Sequence, residues 1–313
     1  MKKILIVGCG AITQQHHIPA LEKLGCEIYL SDLNPEVVFK KNAKFPFSND
    51  YKDFIDVIDG ALVATNHSSH FIISETILKS GKHVLIEKPI TTNTIDCIKL
   101  INFERNNVVG AGYFRRYIDN FIILKKVIKE EIFGKLKKIE INEGGVYSWP
   151  AMSNSFWKKD SAGGGVLIDT GSHSIDLLFF LLNEEINLIS YFDDSIDGIE
   201  ANCEINLKTK SNISINVSLS RTRPTKNEIF LEFEDAKISL NVANGSLNSI
   251  ISEKNFKPFT EMEYPDDIFI KQIKYWTNSF ELNDNQLVKA SDALETVKLI
   301  EKCYQKKERL IKW

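Results

Sequence analysis

Short, wholly apolar runs alternate with stretches of helical period through the first third of the chain. Ile4-Leu5-Ile6-Val7 is continuously apolar and ends at a glycine, the pattern of a parallel strand buried on both faces. Glu27–Asp32, Gly60–Thr65, His83–Ile86 and Val108–Gly112 read as four further strands. Between them, Ile72–Ser80 and Thr94–Arg105 have the spacing and length of helices. This alternation predicts a doubly wound parallel sheet.

From Arg116 the rhythm changes. Leu136–Val146 is strand-like, and Gly163–Leu182 reads as one glycine-led helix. Ile199–Lys208, Ser211–Ser220, Glu228–Glu234 and Lys237–Val242 follow with no helix between them, which predicts a mainly antiparallel sheet. Helical spacing returns at Ile268–Glu281, with Pro265-Asp266-Asp267 ahead of it as a cap, and at Ala290–Glu308. The change of rhythm predicts two domains, residues 1–117 and 118–313.

Composition removes several classes of function. The 313 residues are 43% hydrophobic and 26% charged, with a formal net charge of -3, so no basic footprint for nucleic acid is present. Cys9, Cys26, Cys97, Cys203 and Cys303 are odd in number and never form a C-x-x-C pair, which speaks against a disulfide framework and a zinc site. The apolar run after Met1-Lys2-Lys3 breaks at Gly8, unlike a signal peptide, and no apolar run is expected to span a bilayer. These features predict a cytoplasmic protein acting on small molecules, with no membrane partner and no metal.

The turn after the first strand reads Gly8-Cys9-Gly10-Ala11-Ile12-Thr13. It carries the first two glycines of a dinucleotide fingerprint, with Thr13 at the third position, and Asp32 ends the next strand about 20 residues on. Gly8 permits the tight turn, Gly10 lets the backbone approach a pyrophosphate, and the following helix offers N–H groups to the anion. Thr13 is expected to loosen the contact between helix and strand. Asp32 would accept the ribose hydroxyls and repel a 2′-phosphate, favouring NAD, with NADP as the alternative.

Two distant stretches supply proton-handling groups: Glu87-Lys88-Pro89, and the run from Gly163 to His173, which contains Asp169. With the glycine turn, His17-Ile18-Pro19-Ala20-Leu21, Thr65 leading to His70, Gly112-Tyr113-Phe114-Arg115-Arg116-Tyr117, and Ser291-Asp292-Ala293-Leu294-Glu295, the order of motifs resembles the glucose-fructose oxidoreductase, inositol dehydrogenase and rhizopine catabolism (Gfo/Idh/MocA) family. The resemblance runs along nearly the whole chain. It implies a Rossmann domain and a carboxy-terminal α/β domain with an open, mainly antiparallel sheet. It also implies a homodimer or homotetramer, and substrates among sugars, cyclitols and nucleotide sugars.

The resemblance further implies that Lys88 lies near nicotinamide and substrate, faced by Asp169 and His173 from the second domain. In a continuous helix Asp169, His173 and Asp176 would share one face. His173 is the expected general acid/base, Asp169 its partner or a substrate acceptor, and Lys88 the group that polarises the reacting oxygen, with proton transfer through Lys88 as the other route. Thr65, Asn66, His70 and Glu87 join Gly8, Gly10, Ala11, Ile12, Asp32 and Lys88 as expected cofactor contacts. Asn66 stands where many family members have proline. Arg115 is the expected substrate contact, and Arg116 a structural ion pair.

Tyr147, Trp149 and Trp157 precede the glycine-led helix in a stretch with Ser153, Asn154 and Ser155. Aromatic faces beside small polar groups suit a sugar ring, and equally suit core packing. His16 and His17 are adjacent and diverge on a helix, a poor joint metal site. The reading predicts hydride transfer between a nicotinamide and a secondary alcohol or ketone. Two alternatives accompany it: a redox-assisted glycosidase or lyase of the same family, and a non-enzymatic nucleotide-binding regulator.

Overall fold

The computed structural model describes residues 1–37, 44–148, 150, 157–253, 258–259, 265–281 and 286–309. The chain separates into two compact units, each built from three stretches. The first comprises Met1–Phe114, Trp149–Gly163 and Pro265–Val297, and the second Arg115–Ser148, Gly164–Tyr264 and Lys298–Trp313. The first changeover falls at Phe114, and two later returns of the chain to the first unit carry no rhythm signal of their own.

The first unit holds a six-stranded parallel sheet of β1 (Lys3–Val7), β2 (Glu27–Ser31), β3 (Phe47–Ser48), β4 (Gly60–Val63), β5 (His83–Ile86) and β6 (Val109–Ala111). Its order is β3-β2-β1-β4-β5-β6, which places the topological switch beside β1. Ile4, Ile6, Leu30, Leu62 and Leu85 pack with Ile18 and Leu21 of the helix Ile18–Lys23 and with Phe269, Ile273 and Trp276 of the helix Pro265–Asn278. Each such apolar side chain contributes about 1.5–3 kcal/mol on burial. The parallel ladder continues one residue past the strands: Gly8 N donates to Ser31 O at 2.8 Å, Ala64 N to Val7 O at 2.8 Å, Glu87 N to Val63 O at 2.9 Å and Gly112 N to Ile86 O at 2.7 Å. The loops that follow β1, β4, β5 and β6 therefore leave from one edge of the sheet, where α/β proteins bind ligands.

The second unit holds eight strands in the order β13-β12-β11-β7-β10-β9-β8-β14. They are β7 (Leu136–Gly144), β8 (Ile186–Asp193), β9 (Asn202–Thr209), β10 (Ser214–Ser220), β11 (Glu228–Phe233), β12 (Ala236–Asn241), β13 (Leu247–Ser252) and β14 (Glu308–Arg309). The β7/β10 and β8/β14 pairs are parallel and the other five antiparallel, so the sheet is mixed but mainly antiparallel. One residue in two is buried along β9 and β11 and about so along β10, and alternate residues from Ile139 to Glu143 are buried along β7. The helix Ser172–Leu182 is buried from Ser172 through Leu178 and again at Leu181.

Several expectations change. Gly163 does not lead the helix: at φ +79° it is the left-handed end of the short helix Lys159–Ala162, a conformation that glycine adopts without Cβ strain. A π-turn over Leu167–Gly171 then precedes Ser172–Leu182. Pro265 is the first residue of its helix and not part of a cap outside it, a position where its missing N–H costs nothing. By length and composition alone Lys159–Leu182 passes for a membrane span, although Gly163 and the π-turn interrupt it. Of its apolar window 72% is buried inside the protein, the pattern of a core helix. Trp149, Ser153, Asn154 and Ser155 lie outside the described residues.

Candidate active site

In the first unit the glycine turn is shaped by contact with the neighbouring strand end. Gly8 has φ +97°, and a Cβ there would stand 2.5 Å from Ala64 O, so any side chain collides with backbone. Gly10 is different: a Cβ would meet nothing within 4 Å, leaving its backbone open to an approaching group. Thr13 does more than loosen the packing. Its buried hydroxyl donates to Gly8 O at 2.7 Å and closes the turn from the helix side. Ala11 and Ile12 lead into a π-turn over Thr13–His17, and Gln14 Nε2 donates to Cys9 O at 3.0 Å and Val37 O at 2.9 Å.

Asp32 ties this turn to the end of β2, its Oδ2 accepting from Cys9 N at 2.8 Å and its Oδ1 from Asn34 N at 2.9 Å. Burial, reinforced by Asp32, pushes the Cys9 thiol up to about 12, so it stays protonated and inert. The open backbone of Gly10 and a carboxylate fixed at the neighbouring strand end fit a dinucleotide.

The loop after β4 carries Thr65 and Asn66. Asn66 Oδ1 accepts from Ser69 N at 3.2 Å and Ser68 Oγ at 3.0 Å, capping the turn His67–Ser69. This gives asparagine a local reason at this position. Thr65 Oγ1 accepts from Ser69 Oγ at 2.7 Å. His67 Nδ1 donates to Ala162 O at 2.7 Å, joining the segment before Gly163 to the same unit.

After β5, Glu87, Lys88 and Pro89 form a turn with a cis Lys88–Pro89 peptide. The carboxylate of Glu87, an expected cofactor contact, is engaged within the protein: Oε1 accepts from His17 Nε2 at 2.8 Å and Oε2 from Lys88 N at 3.1 Å. Burial acts to raise its pKa, and the His17 hydrogen bond with the charges of His17 and Lys88 outweighs it, holding the carboxyl below its ordinary range. His70 likewise presents both ring nitrogens to backbone carbonyls, Nδ1 to Pro89 O at 2.8 Å and Nε2 to Thr65 O at 3.2 Å. Burial pushes its pKa down. Lys88 itself is half-buried.

In the second unit Asp169, Tyr147 and Arg221 come together. Arg221 Nη2 donates to Asp169 Oδ2 at 2.8 Å, and its Cζ stands 5.5 Å from the centre of the Tyr147 ring. Tyr147 N donates to Arg221 O at 2.9 Å, because both residues follow the parallel neighbours β7 and β10 at the same end. Burial raises the Tyr147 pKa, with Asp169 adding to the rise and Arg221 opposing it. His173 lies on the following helix at 7% exposure.

The two arginines near Tyr117 are both committed to carboxylates. Arg116 reaches Asp176 bidentately, at 2.9 and 2.7 Å. Arg115, the expected substrate contact, is 4% exposed, and its guanidinium forks onto Glu143, with Nη1 3.0 Å from Oε2 and Nη2 on Oε1. Ser174 Oγ donates to the same carboxylate. This buried bidentate pairing holds Arg115 in the frame of the unit. Trp157 belongs to the other unit and is 48% exposed.

Sequence reading missed two residues. Arg221 follows a strand with no motif around it. Glu200 accepts from Gly165 N and Leu167 N, both at 2.9 Å, and from Tyr304 Oη at 2.9 Å. It thereby caps the helical stretch that carries Asp169 and His173, and a Cβ on Gly165 would stand 2.0 Å from Glu200 O. Among the described residues no group of three or more His, Cys, Asp or Glu could hold a metal ion.

Known proteins resemble the chain in both units. It is 28% identical over 196 residues to an inositol 2-dehydrogenase/D-chiro-inositol 3-dehydrogenase of Halalkalibacterium halodurans, covering 59% of this chain and 54% of that one. It is 27% identical over 276 residues to a glucose-6-phosphate 3-dehydrogenase of Bacillus subtilis, covering 83% and 75%. The chain thus spans about half the length of the first relative, and more of the second. Two solved structures share the fold. A 3-ketoreductase from Actinomadura kijaniata, in complex with NADP and TDP-benzene, superimposes with a TM-score of 0.86 at 16% identity over 98% of both chains. The WlbA dehydrogenase of Bordetella pertussis, in complex with NADH and UDP-GlcNAcA, gives 0.78 at 18% identity, covering 97% of this chain and 95% of that one. Residues 2–113 match the oxidoreductase family with an NAD-binding Rossmann fold and residues 121–247 match the GFO/IDH/MocA C-terminal domain, so the chain belongs to the Gfo/Idh/MocA oxidoreductase family.

Proposed function

We propose that this protein is an NAD(P)-dependent oxidoreductase that moves a hydride between the nicotinamide and a secondary alcohol or ketone of a sugar, cyclitol or nucleotide sugar. One observation carries the reading: the open Gly10 backbone, the fixed Asp32 carboxylate and the Lys88 turn all stand at the same edge of the parallel sheet. Relatives named as inositol and glucose-6-phosphate dehydrogenases support the substrate class.

Gly8, Gly10, Ala11 and Ile12 would hold the pyrophosphate, Asp32 the ribose, and Thr65, Asn66 and Lys88 the nicotinamide end. The bound cofactor supplies a two-electron hydride acceptor or donor. In the oxidation direction His173 takes the proton of the substrate hydroxyl as general base, while the Lys88 ammonium stabilises charge on that oxygen. Asp169, held by Arg221, accepts a substrate hydroxyl, and Tyr147 offers a ring face to the sugar. In reduction His173 returns the proton. Asp32 favours NAD over NADP by repelling a 2′-phosphate. A homodimer or homotetramer and a cytoplasmic location, in keeping with an odd set of scattered cysteines, belong to the same reading.

The test is a turnover screen: NAD or NADP with a panel of sugars, inositols, sugar acids and nucleotide sugars, followed by NAD(P)H absorbance. The reading expects NADH to accumulate with at least one polyol or sugar and with no bond cleavage. Cleavage products without net NADH, or silence across the panel from protein that binds NADH, would contradict it.

A further inference from the structure

Two buried histidines hold the residues on either side of Lys88, one through the Glu87 side chain and one through the Pro89 backbone, and each leads to a different loop. His17, 0% exposed, ends the π-turn that follows the glycine loop, and its Nε2 donates to Glu87 Oε1 at 2.8 Å. The other oxygen of Glu87 accepts the Lys88 amide at 3.1 Å. His70, 1% exposed, opens the helix His70–Lys79 and stands between Pro89 O and Thr65 O. A further constraint comes from Gly112, where a Cβ would lie 3.0 Å from Glu87 Cα and 3.1 Å from Lys88 N.

We infer that His17 and His70 are positioning residues for Lys88, fixing its turn to the glycine loop through Glu87 and to the Thr65 loop through Pro89. The inference rests on the role given to Lys88 above. All of these contacts are made to backbone or to Glu87, so they set where the lysine stem begins. They also make that starting point depend on the two loops assigned to the cofactor.

The geometry assigns a particular nitrogen to each task. A neutral imidazole carries one N–H, and burial keeps His70 neutral against the pull of its two carbonyls and Glu87, with Lys88 acting in the same sense as burial. The single proton belongs on Nδ1, which makes the shorter contact, 2.8 against 3.2 Å. For His17 the working atom is Nε2. An asparagine amide nitrogen stands near the place of Nδ1 and a glutamine amide nitrogen near that of Nε2, so the two positions call for opposite replacements.

The experiment compares His17→Gln, His17→Asn, His70→Asn and His70→Gln by amide hydrogen exchange of a peptide covering residues 86–92, with Ile77→Val as a destabilised control in the same helix as His70. His17→Asn and His70→Gln are expected to speed exchange there by about tenfold or more. His17→Gln, His70→Asn and the control stay within about threefold of wild type. With an active substrate in hand, the first pair also loses about tenfold in kcat while KM moves less than about threefold. Equal effects of asparagine and glutamine at either position, or unchanged exchange in the first pair, would overturn the inference. If a variant does not fold, Glu87→Gln tests the His17 contact by the same readout: faster exchange over residues 86–92 supports the inference and unchanged exchange overturns it. Exchange is read without turnover, so a failed dehydrogenase assignment and a failed positioning role give different results.

Discussion

Arg221 Nη2 donates to Asp169 Oδ2 across 2.8 Å, joining the end of β10 to the π-turn that precedes His173. Both side chains are largely buried, at 6% and 14% exposure. Removing the cation leaves a carboxylate with little water to solvate it. Arg221→Met is therefore expected to destabilise the protein by about 3 kcal/mol in denaturant titration and to lower kcat. Arg221→Lys keeps the charge but not the guanidinium plane over Tyr147, and should recover only part of either loss. An Arg221→Met protein of wild-type stability and activity would remove this pair from the account.

The two glycines of the first turn should fail in different ways. At Gly8 an added methyl meets Ala64 O at 2.5 Å in a left-handed conformation, so Gly8→Ala should lower thermal stability by about 2 kcal/mol or more. At Gly10 the methyl meets open space, and Gly10→Ala should melt like wild type. Its cost appears in cofactor affinity instead, weakened about tenfold or more in an NADH fluorescence titration because the methyl occupies the room left for a pyrophosphate. Equal melting and equal NADH affinity in both variants would refute this division.

Asp32 holds the Cys9 amide, and the proposed function gives it the ribose hydroxyls. Asp32→Ser keeps an acceptor and removes the charge, so kcat/KM for NADP relative to NAD should rise about tenfold. No change in that ratio would place the ribose elsewhere.

Glu87 provides a pH signature. Its pKa is held below the ordinary value of 4.5, so the folded protein binds this proton more weakly than the unfolded chain does. Its contribution to stability is fully present above about pH 5 and declines as pH falls below 4.5 through the folded-state value. The stability gap between wild type and Glu87→Gln, measured by chemical denaturation, should be constant from about pH 7 to 5 and narrow below that. A gap that widens in acid has the wrong sign for this account.

The parallel sheet was legible because its central strands are buried on both faces and so appear as unbroken apolar runs such as Ile4–Val7 and Val84–Ile86. Strand β8 escaped notice because Ile189 is an exposed apolar residue beside a register shift between Leu188 and Ser190, which breaks the alternation. Strand β13, at the sheet edge, mixes three apolar with three polar residues and does not alternate, and β3 and β14 are two residues long. The turn chemistry of Gly8 and the acid at Asp32 could be named from local spacing. Arg221 and Glu200 could not, because they act on residues 52 and 33–35 positions away and only the folded sheet brings them there. The same holds for Arg115, whose partner Glu143 lies on β7.

The central claim is that His173 carries the proton of the reacting hydroxyl. The most direct measurement is turnover of His173→Ala with the best substrate of the screen, beside its NADH affinity by fluorescence titration. The account predicts loss of turnover by about a thousandfold with NADH affinity within about twofold of wild type. Undiminished turnover in a folded, NADH-binding variant would contradict it and move the proton to Lys88.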